Sequence, residues 1–162
     1  MVLEACRAFL RARGHEVYTP TLTGLGERKH LARPEVDLNT HVQDIVSVLE
    51  FEGLVDVVLA GHSYSGMVIT GVAERAARRL THLVYVDASV PQDGESMFGN
   101  GPSRMQQDVE AEARSRGDGW CWPLPEFEEL SRFGSLADLT DADRQWFRSN
   151  ATPQPLNTLT QP

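Results

Sequence analysis

The stretch Val55-Asp56-Val57-Val58-Leu59-Ala60-Gly61-His62-Ser63-Tyr64-Ser65-Gly66 decides how this chain is read. Its first six residues form an apolar, β-branched run of strand length. Gly61-His62-Ser63-Tyr64-Ser65-Gly66 then breaks the run, and a helical pattern continues over about 64–79. A strand, a sharp turn carrying a serine and a helix, in that order, are the context of a nucleophile elbow. The turn lifts the Ser63 hydroxyl above the end of a sheet, and the helix behind it presents free backbone N–H groups to developing negative charge. That combination points to acyl transfer, with Ser63 as nucleophile and the backbone N–H of Tyr64 as the first oxyanion donor. The ordinary alternative for such a serine is a helix N-cap. Ser65, expected inside the first helical turn, is the weaker candidate.

Strand–helix alternation extends outward from the elbow. Residues 2–13 carry Leu3, Cys6, Phe9 and Leu10 at helical spacing, with Gly14 as a left-handed stop. Glu16-Val17-Tyr18-Thr19 reads as a short strand ended by Pro20, and 21–39 as a loop with Gly24, Gly26 and Pro34. Thr40-His41-Val42-Gln43 fits a capping box, and Val42, Ile45, Val46 and Leu49 give one apolar helix face stopped at Gly53. Leu83-Val84-Tyr85-Val86 is a further buried strand, ending at Asp87. This pattern predicts an α/β fold with a parallel sheet covered on both faces by helices. After Asp87 the chain turns loop-like over 88–102. Ser103 and Thr140 then read as N-caps of helices near 104–116 and 141–149, with a short helical stretch near 126–133. Gly119-Trp120-Cys121-Trp122-Pro123 lies between them. A helical, tryptophan-bearing segment of this kind suits a cap over an active site, with Trp120 and Trp122 as candidate pocket residues. Packing of cap against core explains them equally well.

Bulk properties narrow the class. A chain of 162 residues with 41% hydrophobic and 23% charged content fits one globular domain. A net charge of −8 disfavours nucleic acid or an anionic membrane surface as partner. Cys6 and Cys121 make no disulfide framework. With no signal-peptide pattern and no run long enough to span a bilayer, the expected location is cytoplasmic. No Cys/His group has metal-ligand spacing, and the glycines at 24 and 26 are not followed by the Lys-Ser/Thr of a phosphate loop. No metal or cofactor is expected, and the expected partner is a small-molecule ester, with the oligomeric state open.

Thr19-Pro20-Thr21-Leu22-Thr23-Gly24-Leu25-Gly26-Glu27-Arg28, the helix around Thr40-His41-Val42-Gln43-Asp44, the elbow and Val84-Tyr85-Val86-Asp87-Ala88 together resemble small α/β-hydrolase esterases. The branch is that of plant methyl esterases, hydroxynitrile lyases and bacterial esterase relatives. The resemblance covers residues 1 to about 96 well and the cap more loosely. It implies a partial α/β-hydrolase core over 1–96, a helical cap over 97–150 and the start of a return to the core over 151–162. The family pattern Gly-x-Ser-x-Gly is broken at Ser65, with glycine one place later at Gly66. By resemblance the fold is incomplete at both ends. The strand and His-Gly-rich loop that would supply a second oxyanion N–H are absent before residue 1, and the strands carrying the family's acid and histidine fall beyond residue 162. The missing strand would lie between 16–19 and 55–60, leaving backbone groups unpaired at about 1–3 kcal/mol each if buried.

A serine needs a base. His82 begins a strand, so it belongs at the sheet edge opposite the elbow, about 15–20 Å away, and His15 fails on the same ground. His62 adjoins Ser63 and should point elsewhere. His30 and His41 follow a strand end and remain open as in-chain bases. The plainer reading makes His30 a solvated member of Arg28-Lys29-His30 and His41 part of an exposed first helical turn. Asp87 is either an acid next to the elbow or a residue that ties down the following loop. The intact protein is therefore expected to be a carboxylic-ester hydrolase. This chain alone is expected to show little or no hydrolysis. A lyase of the same fold and a non-catalytic binding module are the alternatives.

Overall fold

The structure is a computed structural model that describes residues 2–99, 103–132 and 136–162. The expected loop positions Gly101 and Pro102, and residue 133 of the expected 126–133 turn, lie outside the described residues. Helix α1 spans Val2–Arg11, and Gly14 at φ +87° follows it. Helix α2 spans Leu38–Phe51, strand β1 Val57–Ser63, helix α3 Ser65–Ala76 and strand β2 Leu80–Ala88. Strands β1 and β2 run parallel, in a register from Val57 opposite Leu80 to Ser63 opposite Ala88. This is the βαβ arrangement that the alternation predicts.

Apolar residues from two helices make the core. Leu38, Val42, Val46 and Leu49 of α2 meet Met67, Val68 and Val72 of α3, and Val57, Leu59 and Leu80 of the sheet pack against them. The period-2 alternation of β1 follows directly: Leu59 faces the helices while Val58 is 59% exposed. Val84 and Val86 of β2 are also exposed, at 41% and 51%. The expectation of a sheet buried on both faces is therefore corrected. Both packed helices lie on one side, and no described element packs extensively over the other.

The expected strand at 16–19 is a second correction. The segment is extended but joins no ladder. Arg11 donates to the Val17 carbonyl at 2.7 Å, and the Tyr18 hydroxyl donates to Glu16 at 2.7 Å. A strand needs a hydrogen-bonded neighbour, and among the described residues β1 pairs with β2 alone. Residues 11–20 are almost all exposed, so water meets their polar groups and the burial penalty anticipated for unpaired backbone does not arise.

The start of α2 is a third. Asp37, not Thr40, is the N-cap; its carboxylate accepts from the Thr40 N–H at 2.8 Å and Thr40 closes the capping box. The helix begins earlier than the sequence suggested, so His41 falls on the core face beside Val42. It is 0% exposed rather than part of an exposed turn. Its Nε2–H donates to the Thr23 carbonyl at 2.9 Å, leaving Nδ1 to accept the Tyr64 hydroxyl at 2.9 Å. Thr23 is tied in turn to Asp44 of α2 through its N–H at 2.6 Å and its hydroxyl at 2.8 Å, and Arg28 caps Asp44 at 3.1 Å. The 21–31 loop is held to the core through this chain of bonds.

The cap segment follows the expected caps. Helix α4 spans Arg104–Arg116 with Ser103 accepting from Gln106 N–H, and helix α5 spans Asp141–Asn150 with a Thr140–Asp143 capping box. Between them are a two-residue strand β3, Cys121–Trp122, and a 3₁₀ turn at Phe127–Arg132. Strand β4, Gln154–Pro155, pairs antiparallel with β3, a pairing the sequence did not signal. Helix α6, Asn157–Thr160, then packs on α2, with Asn157 donating to the Pro34 carbonyl and Asn39 N–H donating to Gln161.

Two outcomes follow from this packing. A Cβ on Gly66 would sit 2.0 Å from the Ser89 carbonyl oxygen, whereas one on Gly14 would meet open space and only a positive φ. Gly66→Ala is expected to lower the unfolding free energy by about 3 kcal/mol and Gly14→Ala by about 1 kcal/mol, measured by urea denaturation. Burial, the largest cause, holds the His41 pKa below its ordinary 6.5, with Arg28 acting the same way against the Thr23 carbonyl, Asp44 and Asp37. As pH falls through that ordinary value the unfolded chain takes up the proton first, so stability is full above it and declines below it. The urea midpoint is expected to be lower at pH 5.5 than at pH 7.5, with a smaller gap in His41→Gln.

Candidate active site

Ser63 ends β1 and is followed at once by α3. Its backbone has φ +52°, a left-handed conformation that costs a non-glycine residue about 1–3 kcal/mol. Such strain persists where the surroundings over-determine it. Here the Ser63 carbonyl accepts the Ser89 N–H at 3.1 Å, pinning the end of β1 to the chain leaving β2. Two glycines allow the close approach. A Cβ at Gly61 would lie 2.7 Å from the Ser65 carbonyl oxygen, and Gly66 seats directly on Ser89. The departure at Ser65 is therefore accommodated, because the second tight contact falls on residue 66. The Ser63 side chain is exposed. Ser65 is the first residue of α3, as expected.

Tyr64 has helical backbone angles, φ −51° and ψ −33°, and its N–H is taken by no acceptor among the described residues. Its ring is partly buried against the core and meets His41 edge-on at 5.8 Å. Burial pushes its phenol above the ordinary tyrosine value, so the hydroxyl stays a donor. The side chain is thus anchored in the core.

The five histidines are all described. His41 uses both ring nitrogens on Thr23 and Tyr64, so neither is free for Ser63. His30 is exposed on the 3₁₀ turn Gly26–Leu31. His82 pairs with Val58, five residues before Ser63, or about 16 Å back along the strand. His15 lies in the exposed extended segment, and His62 precedes Ser63 on the opposite side of the pleat. Asp87 stands beside the elbow in a bulge: His62 faces Val86 and Ser63 faces Ala88, which leaves residue 87 unopposed at φ +44°. Its exposed carboxylate accepts no hydrogen bond among the described residues.

Trp120 lines a cavity of about 220 Å³ with Gly24, Ala32, Cys121, Thr152 and Pro153. That is smaller than the usual small-molecule pocket of roughly 300–1,000 Å³, and Ser63 does not line it. Trp122 turns its indole N–H to Glu112 of α4 at 2.9 Å. Among the described residues no hydrogen bond or ring contact joins either tryptophan to Ser63. Among the described residues no group of three or more His, Cys, Asp or Glu side chains is placed to hold a metal ion, and no helix is long and apolar enough to cross a membrane. His41 is the residue the sequence reading misplaced. The signal was Asp37 as N-cap, which would have set Leu38, His41, Val42 and Ile45 on one face.

Comparison with known proteins agrees with this geometry. The sequence model of the alpha/beta hydrolase family matches residues 3–162. A carbendazim hydrolyzing esterase from Nocardioides sp. (strain SG-4G) is 42% identical over 163 residues, taking in 96% of this chain and 64% of that protein. An extracellular alpha/beta-hydrolase from a Paenibacillus species, described as sharing structural and functional homology with tobacco salicylic acid binding protein 2, superimposes with a TM-score of 0.81 at 28% identity, covering 96% of this chain and 62% of that one. The pyrethroid hydrolase PytH shares the fold, with a TM-score of 0.58 at 18% identity over 91% of this chain and 60% of its own. The chain thus spans less than two thirds of the length of each of these relatives. A left-handed serine between a parallel strand and a helix, a glycine seated on the neighbouring crossover and a family match over nearly every residue agree, and the chain belongs to the alpha/beta hydrolase family.

Proposed function

We propose that this chain carries the nucleophile-bearing part of a carboxylic-ester hydrolase, with Ser63 as nucleophile. The observation that carries the reading is the exposed serine held at φ +52° where β1 passes into α3. The 42% identity to a protein named as an esterase supports an ester as substrate class. In the reaction the Ser63 Oγ bonds to the acyl carbon while its proton leaves to a base, and the Tyr64 N–H donates to the oxygen that becomes negative. The acyl C–O bond then breaks and the alcohol departs with that proton. Water attacks the acyl-serine, releasing the acid and restoring the hydroxyl.

His41 spends both ring nitrogens on Tyr64 and Thr23, His82 lies about 16 Å back along the sheet, and no hydrogen bond joins a histidine to Ser63 among the described residues; on that support the 162-residue chain by itself is proposed to hydrolyse esters very slowly. A non-catalytic binding module is the second reading, favoured by the absence of a histidine bonded to Ser63 among the described residues.

An exposed serine is accessible to a base supplied from solution. With free imidazole present, a fluorophosphonate is expected to leave one adduct at Ser63, read by peptide mass spectrometry and absent in Ser63→Ala. Without imidazole, p-nitrophenyl acetate turnover is expected to match that of Ser63→Ala. Turnover that vanishes in Ser63→Ala would mean that the chain contains its own base. Failure to label Ser63 would leave the binding-module reading standing.

A further inference from the structure

We propose that His41 is a positioning residue for the oxyanion donor, acting through the Tyr64 side chain; the inference rests on Ser63 being the nucleophile. A core position in a helix is an expensive place for an imidazole unless both nitrogens are satisfied, and a leucine would fill it without that constraint. Here both nitrogens are engaged, on two different elements. The Nε2–H donates to the Thr23 carbonyl, and Nδ1 accepts from the hydroxyl of Tyr64, the residue directly after the nucleophile. One end of this path is anchored. Thr23 is held by the Asp44 carboxylate through both its N–H and its hydroxyl, and Arg28 bonds Asp44 and the Thr21 carbonyl. The other end is residue 64, whose backbone leaves the strained Ser63 and whose N–H has no acceptor among the described residues.

The mechanical consequence follows from the position of the tether. A peptide N–H is an effective oxyanion donor only when it is already aimed before the charge forms. The Ser63–Tyr64 peptide is the joint between β1 and α3, where no ladder or helical hydrogen bond fixes its N–H. Fixing the Tyr64 ring at its far end, through a buried hydrogen bond and an edge contact at 5.8 Å, removes rotational freedom from that joint. The charged and titratable groups around the His41 ring are Asp44 and Asp37 on its own helix, Arg28 on the 3₁₀ turn and Tyr64 on the elbow. The neutral ring is the form that accepts from Tyr64.

The test is the rate of imidazole-assisted fluorophosphonate labelling at Ser63 in the 162-residue chain, with thermal unfolding of each variant recorded alongside. Tyr64→Phe removes one oxygen and keeps the ring; His41→Gln keeps a donor for Thr23. Each is expected to slow labelling by about tenfold, and the double variant is expected to be no slower than Tyr64→Phe alone, because that change already removes the His41–Tyr64 bond along with the Thr158 contact of the same hydroxyl. Val46→Ala, a core truncation outside this path, is expected to melt earlier yet label at the wild-type rate. Wild-type labelling in folded Tyr64→Phe, or effects that multiply in the double variant, would overturn the positioning role. Absence of any Ser63 adduct in the wild-type chain would instead remove the nucleophile reading on which it rests.

Discussion

The hydrogen bond from the Ser89 N–H to the Ser63 carbonyl, with Gly66 pressed against the carbonyl of the same Ser89, is the constraint on which the elbow depends. Two chain segments that leave adjacent parallel strands are locked together there, and the first turn of α3 has to fit over the crossing. The strand must therefore stop at 63, the helix must start at 65, and the residue between them has little room to turn. The left-handed backbone of Ser63 is what remains when those requirements are met. The side chains at 61 and 66 are absent for the same reason, and a serine at 65 is allowed because the tightest approach lies one residue further on.

A second constraint is the filling of the α2–α3 interface. Valines 42, 46, 68 and 72, with Leu38, Leu49 and Met67, form a continuous apolar contact between α2 and α3. His41 interrupts this apolar surface. Its neutral ring extends the core contact into a hydrogen-bonded path from the 21–31 loop to the elbow, so the loop's place on the molecule depends on polar bonds rather than apolar area. The loop itself contributes only partly buried apolar residues such as Leu22 to the core.

Much of this was legible in the residues. The β-branched run before the elbow, the 42–45–46–49 periodicity, the glycine stops at 14 and 53 and the N-caps at 103 and 140 all read correctly, because each is a local rule that the chain obeys without help from distant parts. The misreadings share a different cause. The 16–19 segment has strand composition but no neighbour with which to pair, and pairing is a property of two segments. Leu83–Val86 has the apolarity of a doubly covered strand, yet among the described residues one side of the sheet is left largely exposed. The two-residue pairing of Cys121–Trp122 with Gln154–Pro155 is too short for periodicity to register. At the site, Ser63 was readable from its turn chemistry. The tether through His41 was not, because choosing Thr40 over Asp37 as the cap made a core residue look solvated.

The β1–α3–β2 unit also bears on how the chain reaches this arrangement. The pairing of β1 with β2 and the packing of α3 on both strands lie within the stretch from Val57 to Ala88, so these contacts close short loops. The cap returns instead through bonds such as Gly26 N–H to Thr152, which spans 126 residues and requires far more chain to be gathered first. Low contact order favours early assembly, so on a ribosome the elbow would take shape while the residues from Arg104 onward were still being synthesised.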